Sequence, residues 1–529
     1  MRIGVRFCHK GIIMGGIWVW GIEKIECVFY VFIEYTMSFS KEQQYAFSRF
    51  VLGENLFITG PGGTGKTHLI KEMVKSMRER GLQYQVCAMT GCASVLLGLG
   101  AKTLHSWCGM GLANGHKDEV IHKIVYNKKT VGGLRKTRVL IVDEVSMMSK
   151  FVFEVLNSAL KIIRKSTAAF GGVQVIFTGD FFQLPPVGRD EETSRFCFES
   201  PEWCKVFPLS NHIQLSHIFR QDDDLYKRVL EQVRWGEIDD ESVKILQTCL
   251  RKEVVGEVIP TKLFAVRAKT DFVNTQMYKK LEGEEHIYKF QIKFDLKTFI
   301  ESEKAIDLGV IERCKKLSDK EKLSEAEILV NQTNRVHILE LKRGARVMCL
   351  HNICVDEGIC NGSQGIVVDF VGSNFVPVVL FSNGRRMDIE PIWIQSDEYP
   401  CIGVGQIPLC LAWALTIHKI QGATLSIAEM DLGNSVFEYG QTYVALSRIK
   451  SLGGLYLSAF QPKRIKANPI VKEFYNQIPK IDMSQIEDKE IENKIEVAVE
   501  AAATAIERDN IFREFACEVK DPSIKVIRL

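Results

Sequence analysis

"GPGGTGKT", residues 60 to 67, is the stretch that most restricts what this chain can become. It satisfies G-x-x-x-x-G-K-[ST] and sits between an apolar run, "NLFIT", and a segment in which Leu69, Ile70, Met73, Val74 and Met77 recur at helical spacing before Gly81. Strand, glycine loop and helix in that order form a phosphate cradle. The loop Gly60, Pro61, Gly62, Gly63, Thr64 and Gly65 brings its backbone round the phosphates of a nucleotide such as ATP, Lys66 neutralises their oxygens, and Thr67 offers a hydroxyl to Mg²⁺.

The neighbouring pattern agrees with an α/β fold. From residue 40 to about 210, the apolar runs "NLFIT", "VCAM", "RVLIVDE" and "VQVIFTG" alternate with amphipathic segments, as expected of a mainly parallel sheet covered by helices. "VLIVDEVSMM" adds two carboxylates at the end of a buried strand. Asp143 would complete the Mg²⁺ shell, and Glu144 would polarise an attacking water. Upstream, Gln43 in "SKEQQYAF" offers an amide that can read adenine.

"TGDFFQLPPVG" comes directly after the last of these strands, so Gln183 projects toward the γ-phosphate, where an amide can report whether that phosphate is present. Pro185 and Pro186 stiffen the chain just beyond Gln183 and make the turn a lever. A third segment, "AMTGCASVLLGLGAKTLHSWCGMG", gathers Thr90, Gly91, Thr103, His105, Ser106 and Trp107, joining hydroxyls that suit phosphate oxygens to an aromatic that suits base stacking. Each alone is more often a cap or core residue than a ligand, but together they point to single-stranded nucleic acid.

With 529 residues, 46% of them apolar and 25% charged, the chain has the composition of an ordinary soluble protein of several domains. A formal charge of +3 confines any nucleic-acid surface to a local stripe. The 15 cysteines form no CxxC pair, which disfavours a zinc ribbon or disulfide framework and suits reduced thiols inside a cell. "GIIMGGIWVWGI" is apolar, but Glu23, Lys24 and Glu26 interrupt it before the roughly 18 to 20 residues a membrane span needs. Met37 reads as a natural start, leaving 1–36 as an extension.

"FGGVQVIFTGDFFQLPPV", "TLHSW", "IQLSHIFRQ", "ALTIHKIQGATL" and "GQTYVALSR", all within residues 38 to 476, resemble the petite-integration-frequency (Pif-type) helicases, relatives of RecD in the 5′-to-3′ branch of helicase superfamily 1. The resemblance implies two RecA-like P-loop NTPase motor domains, with ATP and Mg²⁺ between them and single-stranded DNA across their tops. It implies that Arg220 and Arg448 are arginine fingers from the second motor domain, that Gly422 lies near the nucleotide, and that Thr416, His418 and Gln421 lie near the DNA backbone. Ile420 stands where the family often has Ser, and Ala93-Ser94 where it often has Ala-Ala.

Short β-rich runs punctuated by Asn361-Gly362 and Asn383-Gly384 read as a small all-β insertion, which the resemblance makes SH3-like. The expected layout is an extension at 1–36, motor domain 1 at 37–210, motor domain 2 at 211–340 and 401–480, the β insertion at 341–400, and a helical tail at 481–529. The implied activity is ATP-dependent 5′-to-3′ unwinding by a monomer on single-stranded DNA and single/double-strand junctions, with no membrane partner. It would act inside the cell, in the nucleus first, with the mitochondrion or a viral replication site as alternatives. An RNA helicase or RNA-stimulated ATPase, and a nucleotide-switched binder that does not unwind, remain open readings; a P-loop kinase fits poorly, because it needs no second motor block.

Overall fold

The computed structural model describes residues 39–479 apart from 112, 114, 189, 254–259, 296–307, 333–336, 352, 355, 356, 358, 360, 361, 397, 398 and 400. The extension at 1–36, the tail at 481–529 and Asn361 lie outside the described residues. The chain divides into two units. In the first, which includes residues 39–54, Lys41–Val51 is a helix whose N-cap Ser40 accepts from the Gln43 backbone while the Gln43 amide oxygen accepts from Ser40 N (2.9 Å). Among the described residues, no helix is long and apolar enough to cross a membrane.

The second unit, 55–480, opens with strand β1 (Leu56–Thr59), followed by β2 (Tyr84–Ala88), β3 (Lys102–Thr103), β4 (Val139–Asp143), β5 (Gln174–Gly179) and β6 (His212–Gln214). They form a sheet in the order β3-β2-β4-β5-β1-β6, with every pairing parallel. The run "VLIVD" of β4 is buried throughout, as strands covered on both faces must be. β6, inside the stretch leading to "IQLSHIFRQ", pairs with β1 and is continued by Leu215 N donating to Thr59 O (2.8 Å), so this first sheet extends beyond residue 210. Adjacency of β4, β5 and β1 brings three loops together at one sheet edge, the place where open α/β sheets bind ligands.

Strand β7 (Thr261–Phe264) starts a second parallel sheet, but the chain leaves it and returns only at residue 414. It passes through β8 (His286–Lys289), β9 (Gln291–Phe294), helices Leu308–Lys315 and Asp319–Gln332, and then β10 (Ile338–Leu341), β11 (Arg346–Cys349), β12 (Gln364–Val371), β13 (Val376–Phe381), β14 (Arg386–Asp388), β15 (Ile392–Gln395), β16 (Ile402–Gln406) and β17 (Leu409–Leu411). Strands β14-β13-β12-β11-β17 make an antiparallel sheet over its own core, which includes Val347, Val367, Val379, Phe381 and Leu409. Asn383-Gly384 forms the β13–β14 hairpin, with Gly384 at φ +81 and Asn383 Oδ1 accepting from Arg385 N (3.1 Å). This β region extends to Leu411 and draws in strands from 286 onward.

The chain then completes the second sheet with β18 (Ala414–Thr416), β19 (Ala428–Leu432) and β20 (Leu455–Phe460), in the order β18-β7-β19-β20. One continuous cluster of buried side chains runs from Phe57, Leu140 and Phe177 of the first sheet to Leu263, Leu415 and Leu455 of the second.

A buried charge pins the two sheets. Asp180, just past β5, is fully buried, and both its oxygens meet Arg234 of helix Asp224–Trp235: Nε to Oδ2 at 3.0 Å and Nη2 to Oδ1 at 3.0 Å. Tyr443 OH donates to Oδ2 (3.1 Å) from helix Gln441–Leu446, and Tyr475 OH donates to Oδ1 (3.2 Å) from helix Pro469–Gln477. Four separate segments meet at one carboxylate. Arg234→Ala would leave that carboxylate with only neutral donors, the two phenols and Phe182 N (3.3 Å), so a loss of about 3 to 5 kcal/mol is expected. It is read as a lowered urea midpoint, and an unchanged midpoint would show the pair to be dispensable.

Candidate nucleotide site

The loop after β1, the carboxylates after β4 and the turn after β5 converge on a cavity of about 290 Å³. Its lining includes Gly62, Gly63, Thr64, Gly65, Lys66, Thr67, Asp143, Glu144 and Gln183 from the first sheet. From beyond β6 come Phe219, Arg220, Gly422 and Arg448. Every residue expected to hold phosphate, metal or water is therefore at one place, except Gly60 and Pro61, whose carbonyls accept from Lys66 Nζ (2.6 and 2.9 Å). Gln43 belongs to the other unit.

Local geometry explains the residue types. Gly63 has φ +94, and a Cβ there would meet the Arg220 Cβ at 2.6 Å, so only glycine lets the loop and the arginine segment approach. Phe219 N donates to Gly63 O (2.9 Å), which closes this contact. Asp143 accepts from Thr178 Oγ1 and from Glu144 N (2.9 Å). Glu144 itself is at φ +55, a left-handed conformation that few non-glycine residues adopt. Gln421 Nε2 donates to its Oε2 (3.1 Å).

The electrostatics are those of charges held together out of water. Burial lowers the Lys66 pKa against the pull of Asp180, Glu144 and Asp143. Burial raises Asp143, with the Thr178 hydrogen bond opposing it. Burial and the neighbouring Asp143 raise Glu144, while Arg448 and Gln421 oppose. Arg220 is pushed down to about 9 by burial and then by Arg448, yet stays charged at neutral pH. Its Nη1 donates to Ser447 O (3.0 Å), and Arg448 Nη2 donates to Ser447 Oγ (2.8 Å), so the two guanidiniums share one anchor.

The donor set fits Mg²⁺ and a nucleoside triphosphate. A hydroxyl at Thr67 and a carboxylate at Asp143 are the oxygen ligands Mg²⁺ takes, and Gln183 Oε1 is buried with no hydrogen-bond partner among the described residues.

The segment expected to meet nucleic acid is placed differently. Trp107 is only 8% exposed and packs in the main core, which leaves little of the indole free for the base stacking expected of it. The Thr103 hydroxyl accepts from Ser106 N (3.3 Å) and the Thr90 hydroxyl from Ala93 N (3.2 Å), each at the start of a short helix. Gly91 begins the first of these helices, while His105 and Ser106 lie half-buried in the second. Burial lowers the His105 pKa. Thr416 is buried at the end of β18 and accepts from Lys419 N (3.3 Å), and His418 is half-buried in the turn after it. That turn carries Gln421 inward to Glu144, where a DNA-backbone contact was expected.

Sequence reasoning missed Asp180, Arg234, Tyr443 and Gly440. Gly440, at φ +75, precedes the helix that leads to Arg448, and a Cβ there would lie 2.4 Å from Phe182 O and 2.7 Å from Gln183 O. The Gln183 lever thus rests directly on the base of the arginine helix.

Two parallel-sheet lobes that both line a P-loop cavity define a RecA-like P-loop NTPase. The family model "PIF1-like helicase" matches residues 38–244, and that of the "DNA helicase Pif1, 2B domain" matches 327–370. The ATP-dependent DNA helicase PIF1 of Xenopus laevis is 33% identical over 83% of this chain and 64% of its own length. The crystal structure of the Candida albicans Pif1 helicase superposes with a TM-score of 0.67 at 32% identity, covering 84% of this chain and all of that one. The Bacteroides Pif1 helicase in complex with ADP-AlF3 and ssDNA gives a TM-score of 0.53 at 26% identity, covering 80% and 93%. The chain belongs to the PIF1-like helicase family. It spans a little under two thirds of the length of the curated relatives it matches first.

Gly440→Ala is expected to lower the thermal midpoint well beyond Gly384→Ala, where a similar φ of +81 faces open space. Equal shifts would mean the contact with the lever yields freely.

Proposed function

We propose that the chain is an ATP-driven motor that moves 5′ to 3′ along single-stranded DNA and separates the complementary strand. The observation that carries this reading is the composite cavity: phosphate loop, acidic pair and Gln183 from one lobe, Arg220, Gly422 and Arg448 from the other. A guanidinium supplied across a cleft stabilises a transferring phosphoryl group only when the cleft is closed, which ties hydrolysis to lobe movement.

In this reading Lys66 holds the β and γ oxygens, Thr67 and Asp143 hold Mg²⁺, and Glu144, kept in place by Gln421, takes the proton of the attacking water. Mg²⁺, when bound, supplies charge neutralisation along the phosphates. Gln183 reports the γ-phosphate, and its contact with Gly440 passes the report to the arginine helix. The DNA track is supported by the bound strand named for the Bacteroides neighbour, and Thr90, Gly91, Thr103, His105, Ser106, Trp107, Thr416, His418 and Gln421 remain its proposed contacts, helix caps included. One chain supplies the whole cavity, so a monomer suffices for hydrolysis. Its work is placed inside the cell, with the nucleus first among locations.

Matched duplexes with a 5′ or a 3′ single-stranded tail test the reading. Opening of the 5′-tailed duplex alone, lost in Glu144→Gln, is expected. Opening of the 3′-tailed duplex alone would reverse the polarity, and ATP hydrolysis stimulated by RNA without DNA unwinding would move the track to RNA. Lys66→Ala is expected to reduce hydrolysis by at least about a hundredfold while retaining binding to labelled single-stranded DNA, because the loop lysine serves phosphoryl charge and not the track. Loss of DNA binding in the folded variant would sink that separation.

A further inference from the structure

Tyr443 stands on the helix that ends beside Arg448, yet its hydroxyl is committed to the opposite lobe. It accepts from Gly62 N (2.9 Å) inside the phosphate loop and donates to Asp180 Oδ2 (3.1 Å). The phenol is 2% exposed, and Asp180 is itself locked by Arg234. A backbone N–H of the phosphate loop is thus held by a side chain of the second lobe, on a helix whose first contact is the lever at Gly440.

We propose that Tyr443 is a positioning residue that sets the phosphate loop for nucleotide from across the cleft, an inference that rests on the ATP-driven reading above. The loop serves the phosphates before and during transfer alike, so its misplacement weakens both states equally and acts on KM. Arg448, just past the end of the same helix, acts on charge that develops only during transfer and so falls on kcat. Tyr443 and Arg448 are therefore separable by kinetics although they are close neighbours in the chain.

Tyr475 supplies the control. Its hydroxyl also reaches Asp180 (3.2 Å), but its other contacts are Thr59 Oγ1 and Phe181 N, not the loop. Steady-state ATP hydrolysis by the full chain with single-stranded DNA is measured for the wild type, Tyr443→Phe and Tyr475→Phe, with the thermal midpoint of each. Loss of the bond to the Gly62 amide should raise KM for ATP about fivefold in Tyr443→Phe with kcat within about twofold, while Tyr475→Phe, which loses only its bonds away from the loop, should keep KM within about twofold. An unchanged KM in Tyr443→Phe, or an equal rise in Tyr475→Phe, overturns the proposal while leaving the motor reading intact. A wild type that hydrolyses no ATP overturns both. Should Tyr443→Phe not fold, hydrogen exchange of the wild-type peptide spanning 60–65 decides: a protected Gly62 amide supports the link, and free exchange there overturns it.

Discussion

The carboxylate of Asp180 is the constraint on which the rest of the molecule turns. A lone carboxylate out of water is prohibitively costly, and this one is fully buried, held by a guanidinium, two phenols and the Phe182 backbone N–H that converge on it. Such a cluster is weak as a source of net stability, since desolvating both ions consumes most of their attraction. Its effect is specification. Asp180 follows β5, Arg234 lies on helix Asp224–Trp235, Tyr443 on Gln441–Leu446 and Tyr475 on Pro469–Gln477, so any packing that displaces one helix leaves a buried charge short of a partner. The Arg234 guanidinium also lies over the Phe182 and Tyr475 rings at 4.5 and 5.1 Å, which fixes the aromatic half of the lever.

The nucleotide site borrows from this anchor. Asp180 contributes to holding the charge of Lys66, and Tyr443 joins Asp180 to the loop itself. The remaining charges are arranged in opposition. Asp143 raises the cost of ionising Glu144, and Arg220 and Arg448 stand close enough that Arg448 lowers the Arg220 pKa. Like charges crowded on either side of a small cavity are each relieved by a ligand of the other sign: a cation between the carboxylates, an anion between the guanidiniums. The two halves of that preference are those of a magnesium-bound polyphosphate.

The parts of this site that were legible in the sequence are those whose chemistry is local. The phosphate loop, the acidic pair after a buried strand and Gln183 each sit at a strand end, and parallel adjacency of β4, β5 and β1 brings such ends together without further instruction. Arg220 and Arg448 came from resemblance alone, since nothing in their neighbours says that both face one cavity. Trp107 was ambiguous because an indole in a segment of small hydroxyl residues reads as platform or as core, and its packing into the core is a tertiary matter that no local pattern shows. Gln421 was assigned by motif to the track, but a turn after β18 sets its amide on Glu144. Arg234 did leave a trace: it shares the helix with the stripe Tyr226, Val229, Leu230 and Val233, and a charge beside a buried stripe needs a partner. The identity of that partner, 54 residues away, was beyond reach of any local pattern.

The lever after β5 bears on the second lobe through main chain. Gln183 lines the cavity with its side chain, while the carbonyl of the same residue, with that of Phe182, abuts Gly440. The lever and the arginine helix therefore touch through backbone, where no rotamer change can absorb a displacement. Phe181 and Phe182 are buried against Phe57, Phe198 and Tyr475, so the turn is backed by rigid aromatic packing on its far side. On its other side the turn meets Gly440, at the start of the helix that ends beside Ser447 and Arg448. Ser447 also anchors Arg220, so the contact at Gly440 and both guanidiniums lie along one short path from the turn to the second lobe.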